Sequence, residues 1–173
     1  MRALDAFGIA RGAAWLAVAA LCTASAAQAQ QTAAKEDEGA IKYRQSLMSS
    51  IGGHMGGIAN IAKYGLPFPT HVVVHAEALE RSAALIPAAF ERRAVSLPND
   101  AKPEIWETPE EFVAKARKLE EEARKLAAIA SDGDLSRIGP QLEAVGDACG
   151  DCHDSFRKPK EESYKRKGGG GGE

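Results

Sequence analysis

The sequence predicts an all-α fold, an antiparallel up-down-up-down four-helix bundle. Four segments carry inward-facing residues at steps of three and four, which is the spacing of one helix face. Loops of short or moderate length separate these segments, and no strand pattern is found between them. Helices of this kind bury their apolar faces against one another, so we expect a bundle with a shared core.

The first helix is predicted from Ala40 to about Lys63. Its inward face steps by three and four residues through Ile41, Arg44, Met48, Ile51, Met55, Ile58 and Ala62. The same helix contains Gly52, Gly53, Gly56 and Gly57. Each glycine weakens a helix by about 1 kcal/mol relative to alanine. This cost indicates a close approach, either by a neighbouring helix or by something flat and wide such as a porphyrin.

The second helix is predicted from Thr70, its expected N-cap, to about Phe90. A loop rich in glycine and proline, residues 65–69, precedes it. The following stretch from Glu91 to Trp106 contains two prolines and is expected to be irregular.

The third helix begins with a strong start signal at Thr108. Pro109 would occupy the first helical position and Glu111 would close a capping box, and the helix should run to about Ser131. A short turn leads into the fourth helix, which ends near Lys158 before a proline. Pro140 makes a start near residue 139 more favourable than a start at residue 134.

The fourth helix carries the motif Cys149-Gly150-Asp151-Cys152-His153. Its C-x-x-C-H spacing is typical of the attachment site of a c-type haem. Thiols three positions apart share one side of a helix, so each can form a thioether with the same porphyrin. His153 would then lie beneath the iron as the proximal ligand.

Two other interpretations of the motif fit less well. A zinc site needs about four ligands, and the only other cysteine in the chain is Cys22. A thioredoxin-like dithiol would follow a strand, and none is predicted here.

Residues 1–29 have the features of a secretory signal peptide. An apolar run from Ala13 to Leu21 follows Arg2 and Arg11, and the small residues at 27–29 form a cleavage site. Cleavage after residue 29 would remove Cys22, and a lipoprotein anchor on that cysteine is the alternative. Because c-type haem is attached outside the bacterial cytoplasm, we expect the protein in the periplasm.

The two ends of the remaining chain are polar. Residues 30–39 are expected to be a flexible lead-in, and residues 159–173, which are charged and then rich in glycine, a disordered tail. The bundle domain is therefore predicted at 40–158. No later apolar run is long enough to span a membrane. The net charge of −2 gives no indication of a nucleic-acid partner.

A bundle with C-x-x-C-H in its last helix resembles the class II cytochromes c, the family of cytochrome c′ and cytochrome c-556. The segment Lys42-Tyr43-Arg44-Gln45 looks like the family's first helix, and Pro103-Glu104-Ile105-Trp106 looks like its approach to the third. Residues 148–157 look like its haem helix. The resemblance covers about 40–157 and implies one covalently attached haem c between the helices.

The resemblance also implies that Met48 is the distal residue, because it follows Arg44 by four positions. In members similar to cytochrome c-556, a methionine there is the sixth iron ligand of a low-spin electron carrier. In cytochrome c′, an apolar residue blocks the distal side, and the five-coordinate iron binds NO or CO. Leu47-Met48 looks closer to the first branch, whereas Arg44-Gln45 looks closer to the second. Met55 is the next candidate ligand.

The same resemblance pairs Arg44, and with less support Gln45, with a haem propionate. Arg157 either covers the proximal side or acts as a favourable cation at the helix C-terminus. The three histidines outside the motif are expected to be surface or packing residues: His54, His71 and His75.

The function that we predict is single-electron transfer in the periplasm by a cytochrome c-556-like protein that is not an enzyme. The iron ligands would be His153 and Met48. Its partners would be redox proteins that the sequence does not identify, and the resemblance implies that it can form a homodimer. The alternatives are a gas-binding cytochrome c′ and a haem subunit that serves one dehydrogenase.

Overall fold

The computed structural model describes residues 9–133 and 135–164, and it describes side chains within 28–133 and 136–164. Four long helices form an up-down-up-down bundle: α1 (Ile9–Tyr64), α2 (Pro69–Ala83), α5 (Pro109–Ser131) and α6 (Ile138–Phe156). Two short helices, α3 (Ile86–Ala89) and α4 (Glu104–Glu107), lie in the connection between α2 and α5. No strand is found in these residues, and the predicted fold class is confirmed.

The helices pack in sequence around one core, α1 against α2, α2 against α5, and α5 against α6. All four long helices contribute fully buried side chains: Ile41, Ile58, Leu79, Leu126 and Val145. The remaining pair, α1 and α6, meets at few points. The bundle is therefore closed along three of its four sides, and the fourth side contains the cavity described below.

The lead-in that we predicted at 30–39 is instead part of α1. Arg92, in the connection after α3, forms ion pairs of 3.0 Å to Glu36 and 2.7 Å to Asp37. Within the helix, Lys42 pairs with Glu38 one turn earlier. The segment has no large apolar residue, but most of its residues are good helix formers and its three carboxylates have partners, so it remains helical. The cleavage site after residue 29 and the alternative lipid anchor on Cys22 remain predictions, since Cys22 lies outside the described side chains.

The second helix begins and ends differently from its prediction. It begins at Pro69, with Phe68 rather than Thr70 in the N-cap position. Proline is favoured at a first helical position because its missing N–H would have had no partner there. The helix ends at Ala83, and Pro87 lies in the first turn of the separate helix α3.

The start of α5 at Pro109 is as predicted, but the capping box is wrong. The hydroxyl of Thr108 donates to the carbonyl of Glu104 at 3.1 Å, and no side chain caps the helix. The short helix α4 ends immediately before α5, and the same Glu104 carbonyl also accepts the backbone N–H of Thr108 at 2.9 Å, so Thr108 closes α4 instead of capping α5. At the other end of the bundle, α6 begins at Ile138 with Pro140 in its first turn.

The chain after α6 also differs from its prediction. The helix ends at Phe156, and Arg157 forms an isolated antiparallel bridge with Ala101. A 3₁₀ turn follows at Lys160–Glu162, and Ser163 is buried. Residues 159–164 are thus ordered against the connection before α4, while 165–173 lie outside the described residues.

One of the four glycines at 52–57 of α1 is explained by the neighbouring helix. A Cβ added at Gly57 would lie 2.9 Å from Nε2 of His75, which belongs to α2. His75 in turn shares a hydrogen bond of 3.1 Å between its Nδ1 and that of His54. Burial, and then the nearby His75, lower the pKa of His54. The glycine allows this pair to form across the interface of α1 and α2.

We expect Gly57→Ala to lower the free energy of unfolding by about 1 kcal/mol, because the new methyl group displaces the His75 ring and breaks its hydrogen bond. Gly56→Ala is a matched control, since no atom lies within 4 Å of its added Cβ. The control should raise stability by about 0.5–1 kcal/mol through helix propensity. Urea unfolding measures both, and equal effects at the two positions would contradict the assignment.

A carboxylate connects α5 with α6. Glu122 accepts hydrogen bonds from Gln141 on α6 at 2.8 Å and from Lys125 at 3.1 Å, and it pairs with Lys118 at 2.6 Å. The hydrogen bonds from Lys118, Gln141 and Lys125 lower its pKa from 4.5 to about 2. Because the folded pKa lies below the ordinary value, the carboxylate stabilises the fold above pH 4.5, and that contribution is lost as the pH falls toward 2.

Glu122→Gln should therefore destabilise the protein by about 1–2 kcal/mol at pH 7, and the difference from wild type should shrink below pH 4.5. Glu121→Gln is the control, because Glu121 is exposed and pairs with Lys125 alone. Urea unfolding at pH 7, 5 and 3 tests this. A stability difference that stays constant over this range would show that the charge of Glu122 is unimportant.

Candidate haem site

A cavity of about 470 Å³ lies between α1, α5, α6 and the connection around residue 100. Its walls are largely apolar, and one wall is formed by the aromatic side chains of Phe90, Phe112 and Phe156. These rings contact one another in sequence, with centroid separations of 5.1 and 5.3 Å. All six site residues predicted from the sequence line this one cavity: Arg44, Gln45, Met48, Cys149, Cys152 and His153.

Helix α6 brings both cysteines of the motif to the cavity. Each is half-buried. Burial raises the pKa of Cys149, and burial raises the pKa of Cys152 to about 11, with smaller effects of neighbouring charges. The thiols are thus protonated near neutral pH, unlike the thiolate of a redox dithiol. No group of three or more metal-ligating side chains occurs in the described part of the chain, which also disfavours a zinc site.

His153 follows on the same helix, and its ring is accessible from the cavity. Surrounding protein atoms nevertheless desolvate the imidazole and lower its pKa, and the Arg157 cation lowers it further against the opposite effect of Asp154. A lowered pKa favours the neutral imidazole, which is the form that binds iron.

The opposite wall is formed by α1. Met48 is half-buried there and contacts the core, while its neighbour Leu47 is fully part of the core. Met55 lines the same cavity two turns later, about 10 Å further along the helix. Two thioethers are thus available on this wall, and Met48 lies one turn from Arg44.

Arg44 is the most unusual side chain of the cavity, since it is charged and only 4% exposed. Its Nη2 donates to the carbonyl of Ala94 at 2.6 Å, and its guanidinium lies over the rings of Phe90 at 5.0 Å and Trp106 at 5.4 Å. Its Nε donates to the carbonyl of Ala40 at 3.3 Å, and the remaining nitrogen, Nη1, is buried and has no hydrogen-bond partner. Burial lowers the pKa of Arg44, with Asp37 opposing, but a guanidinium stays charged. The cavity therefore presents an unpaired cationic donor, which fits an anionic group.

Comparison with known proteins identifies the family to which this architecture belongs. The family model described as Cytochrome C′ matches residues 39–157. The chain belongs to the cytochrome c′ family.

Among the relatives, a cytochrome c′ of Pararhodospirillum photometricum is 35% identical over 70% of this chain and 98% of its own length. A cytochrome c-556 of Agrobacterium tumefaciens (strain B2A) is 33% identical over 70% of this chain and 99% of its own. A structure described as the nitric oxide complex of a mutant of cytochrome c prime from Alcaligenes xylosoxidans has a TM-score of 0.66 and 34% identity. It covers 72% of this chain and 97% of that one.

Cytochrome c′ proteins carry one covalently attached c-type haem. The cavity fits such a group in three respects. Its apolar walls suit the porphyrin, the two protected thiols lie on its surface with a histidine beside them, and the unpaired Nη1 of Arg44 suits a propionate. Gln45 also lines the cavity, and its Nε2 donates to the carbonyl of Pro98 at 3.3 Å, which engages one of the two N–H groups of its amide.

Two cavity residues in this cytochrome c′ family member were missed by the sequence analysis. Asp100 accepts hydrogen bonds from Arg157 at 3.3 Å, from the hydroxyl of Ser163 at 2.8 Å and from the backbone of Tyr164 at 2.9 Å. Burial acts to raise the pKa of Asp100, but these hydrogen bonds outweigh it and hold the pKa below its ordinary value. Tyr164 itself lines the cavity. Neither residue carries a local pattern that would have revealed this.

Among the residues that the structure describes, no helix is both long and apolar enough to cross a membrane.

We expect Arg44→Ala to lower the free energy of unfolding of the haem-loaded protein by about 2–3 kcal/mol, because the hydrogen bond to Ala94 and the stacking on two rings are lost. It should also lower the reduction potential, since a cation near the haem disfavours the ferric state. Denaturant unfolding and a potentiometric titration measure the two effects. Lys42→Ala, on the exposed side of the same helix, should change neither. If Arg44→Ala has the same reduction potential as wild type, Arg44 does not pair with a haem propionate.

Proposed function

We propose that this protein is a single-electron carrier of the periplasm, with its haem attached through Cys149 and Cys152. We further propose that His153 and Met48 would both bind the iron of this haem. The observation that carries this proposal is the position of Met48, half-buried on α1 and lining the same cavity as His153 on α6.

The haem supplies one-electron redox chemistry when it is bound, and the chain sets the conditions for it. Side chains such as Ile51, Phe112 and Leu119 exclude water from the cavity wall. A thioether stabilises ferrous iron and raises the potential, as an electron carrier requires. The backbones of Met48 and His153 each belong to a packed helix, so a haem bound by both would rearrange little on oxidation and reduction. The reorganisation that accompanies electron transfer is thereby kept small.

The proposal does not require catalysis on a substrate, so we propose an electron carrier rather than an enzyme. Export through the signal peptide at 1–29 supports the periplasm, because that is where haem is attached to such proteins in bacteria. The donor and the acceptor would be redox proteins, and a homodimer is part of the same proposal.

A second function is supported equally by the comparisons. Several relatives are named cytochrome c′, and a similar structure is described as a nitric oxide complex. In this alternative, Met48 packs against the cavity wall without binding iron, as its contacts with the core allow. The iron would then have His153 as its only protein ligand, and the open position would bind NO or CO.

The electronic spectrum of the ferric protein distinguishes the two functions. A methionine–iron bond gives a low-spin spectrum with a weak far-red charge-transfer band, and we expect Met48→Ala to abolish that band and produce a high-spin spectrum. The same variant should bind CO in its ferrous form much faster than wild type does. Met55→Ala is the matched control, since Met55 lines the same wall two turns away and should leave the spectrum unchanged.

A high-spin wild type whose spectrum is the same in Met48→Ala would reject the electron carrier with His/Met ligation and favour the gas-binding function. If the spectrum changes in Met55→Ala and not in Met48→Ala, Met55 is the iron ligand, and the proposed electron-transfer function is retained.

A further inference from the structure

The segment after α6 returns along the connection that precedes α4. Backbone hydrogen bonds join Lys102 to the carbonyl of Phe156 at 3.0 Å and Lys158 to the carbonyl of Asp100 at 2.8 Å. The side chain of Lys158 donates to the carbonyl of Asn99 at 2.9 Å. These bonds direct the chain away from the helix axis and across the edge of the cavity.

A proline and a 3₁₀ turn then bring the last described residues to the carboxylate of Asp100. One oxygen of this carboxylate accepts from the hydroxyl of Ser163, and the other accepts from the backbone of Tyr164. Ser163 is only 5% exposed. Hydrogen bonds to a charged acceptor are stronger than neutral ones, so Asp100 is the principal attachment point of this segment.

The same carboxylate accepts a hydrogen bond from Arg157, which also lines the cavity. Arg157 lies one helical turn after His153, and its backbone N–H donates to the carbonyl of His153 at 2.9 Å. Asp100 belongs to the connection before α4. It therefore joins this connection to the end of α6, through Arg157, and to the segment after α6, through Ser163 and Tyr164.

This segment lies outside the part of the chain that the family model matches, which ends at residue 157. We propose that residues 159–164 form a strap that completes the haem pocket, with Asp100 as its latch and the Tyr164 side chain as the group that covers the cavity edge. The strap limits the access of water to the haem beside Arg157. This inference rests on the presence of the haem and is independent of whether Met48 binds the iron.

Few interactions hold the strap, given that six residues, 159–164, are ordered in it. Each ordered residue loses conformational entropy, and the segment contributes one buried side chain, Ser163, at its end. We therefore expect it to open locally without unfolding of the bundle. Loss of the latch should release the strap and leave the four helices intact.

The decisive comparison uses the haem-loaded full chain with Tyr164→Ala and its matched control Tyr164→Phe. Removal of the ring exposes the haem edge to water, which favours the ferric charge, so Tyr164→Ala should lower the reduction potential while Tyr164→Phe should not. Neither change alters the net charge. In both variants the Tyr164 amide should stay protected from hydrogen exchange, since its backbone bond to Asp100 is retained.

Asp100→Ala tests the latch. We expect the amide of Tyr164 to exchange at least tenfold faster in this variant, while amides in the centre of α5 keep their protection. Truncation after Lys158 should lower the potential in the same direction as Tyr164→Ala, whereas truncation after Tyr164 should leave it unchanged. This second truncation removes residues 165–173 alone and is the control for loss of the charged terminus.

Two outcomes would overturn the proposal. Rapid exchange of the Tyr164 amide in the wild-type protein would show that no strap forms. Protection of that amide combined with equal potentials in wild type and Tyr164→Ala would show that the segment is ordered but does not cover the haem. Failure of Met48 to bind iron would be visible in the wild-type spectrum and would leave both comparisons interpretable.

Discussion

The fold depends on the separation between α1 and α6. These two helices meet at few points, and the faces that they turn toward each other line an apolar cavity. Apolar surface left in contact with water forfeits about 25 cal/mol for each Å². The haem of this family is therefore part of the core of the bundle as well as its redox group, because it occupies the space that a helix–helix contact would otherwise fill. Because the haem of this family is covalently attached, its contribution is permanent, and it closes the fourth side of the bundle without direct packing of α1 on α6.

The buried charge of Arg44 makes the connection between α2 and α5 depend on the haem as well. Its guanidinium is held between Phe90 and Trp106, and one nitrogen binds the carbonyl of Ala94. These contacts orient the group but leave Nη1 without a partner. A buried and incompletely paired cation is unfavourable. An anionic partner at the cavity would remove this penalty, and it would tie α1, the connection and the prosthetic group into one unit. The irregular connection is thus positioned by the charge that it surrounds.

Features that depend on local spacing could be predicted from the sequence, and features that depend on distant partners could not. The C-x-x-C-H motif and the inward face of α1 are local, and the structure brings the two cysteines, the histidine and five of the seven predicted inward residues of α1 to one cavity. The partners of Arg44 outside α1, namely Phe90, Ala94 and Trp106, lie about fifty residues away in the chain, and no pattern connects them. Both polar segments that were expected to be flexible are ordered by single charged residues, Arg92 and Asp100. Composition shows that these segments have few large apolar residues, but it does not show that a distant charged residue binds them.

The choice between electron transfer and gas binding depends on one flexible side chain in an otherwise shared structure. The relatives named cytochrome c′ and cytochrome c-556 are almost equally similar to this chain, at 35% and 33% identity. Overall similarity therefore does not discriminate between the two functions. Methionine has three rotatable bonds and fills irregular spaces readily, so the same backbone of α1 can direct Met48 toward the iron or along the wall. A small difference in free energy between these two arrangements is enough to change the coordination of the iron, and with it the function, while the helices, the cysteines and the proximal histidine stay the same.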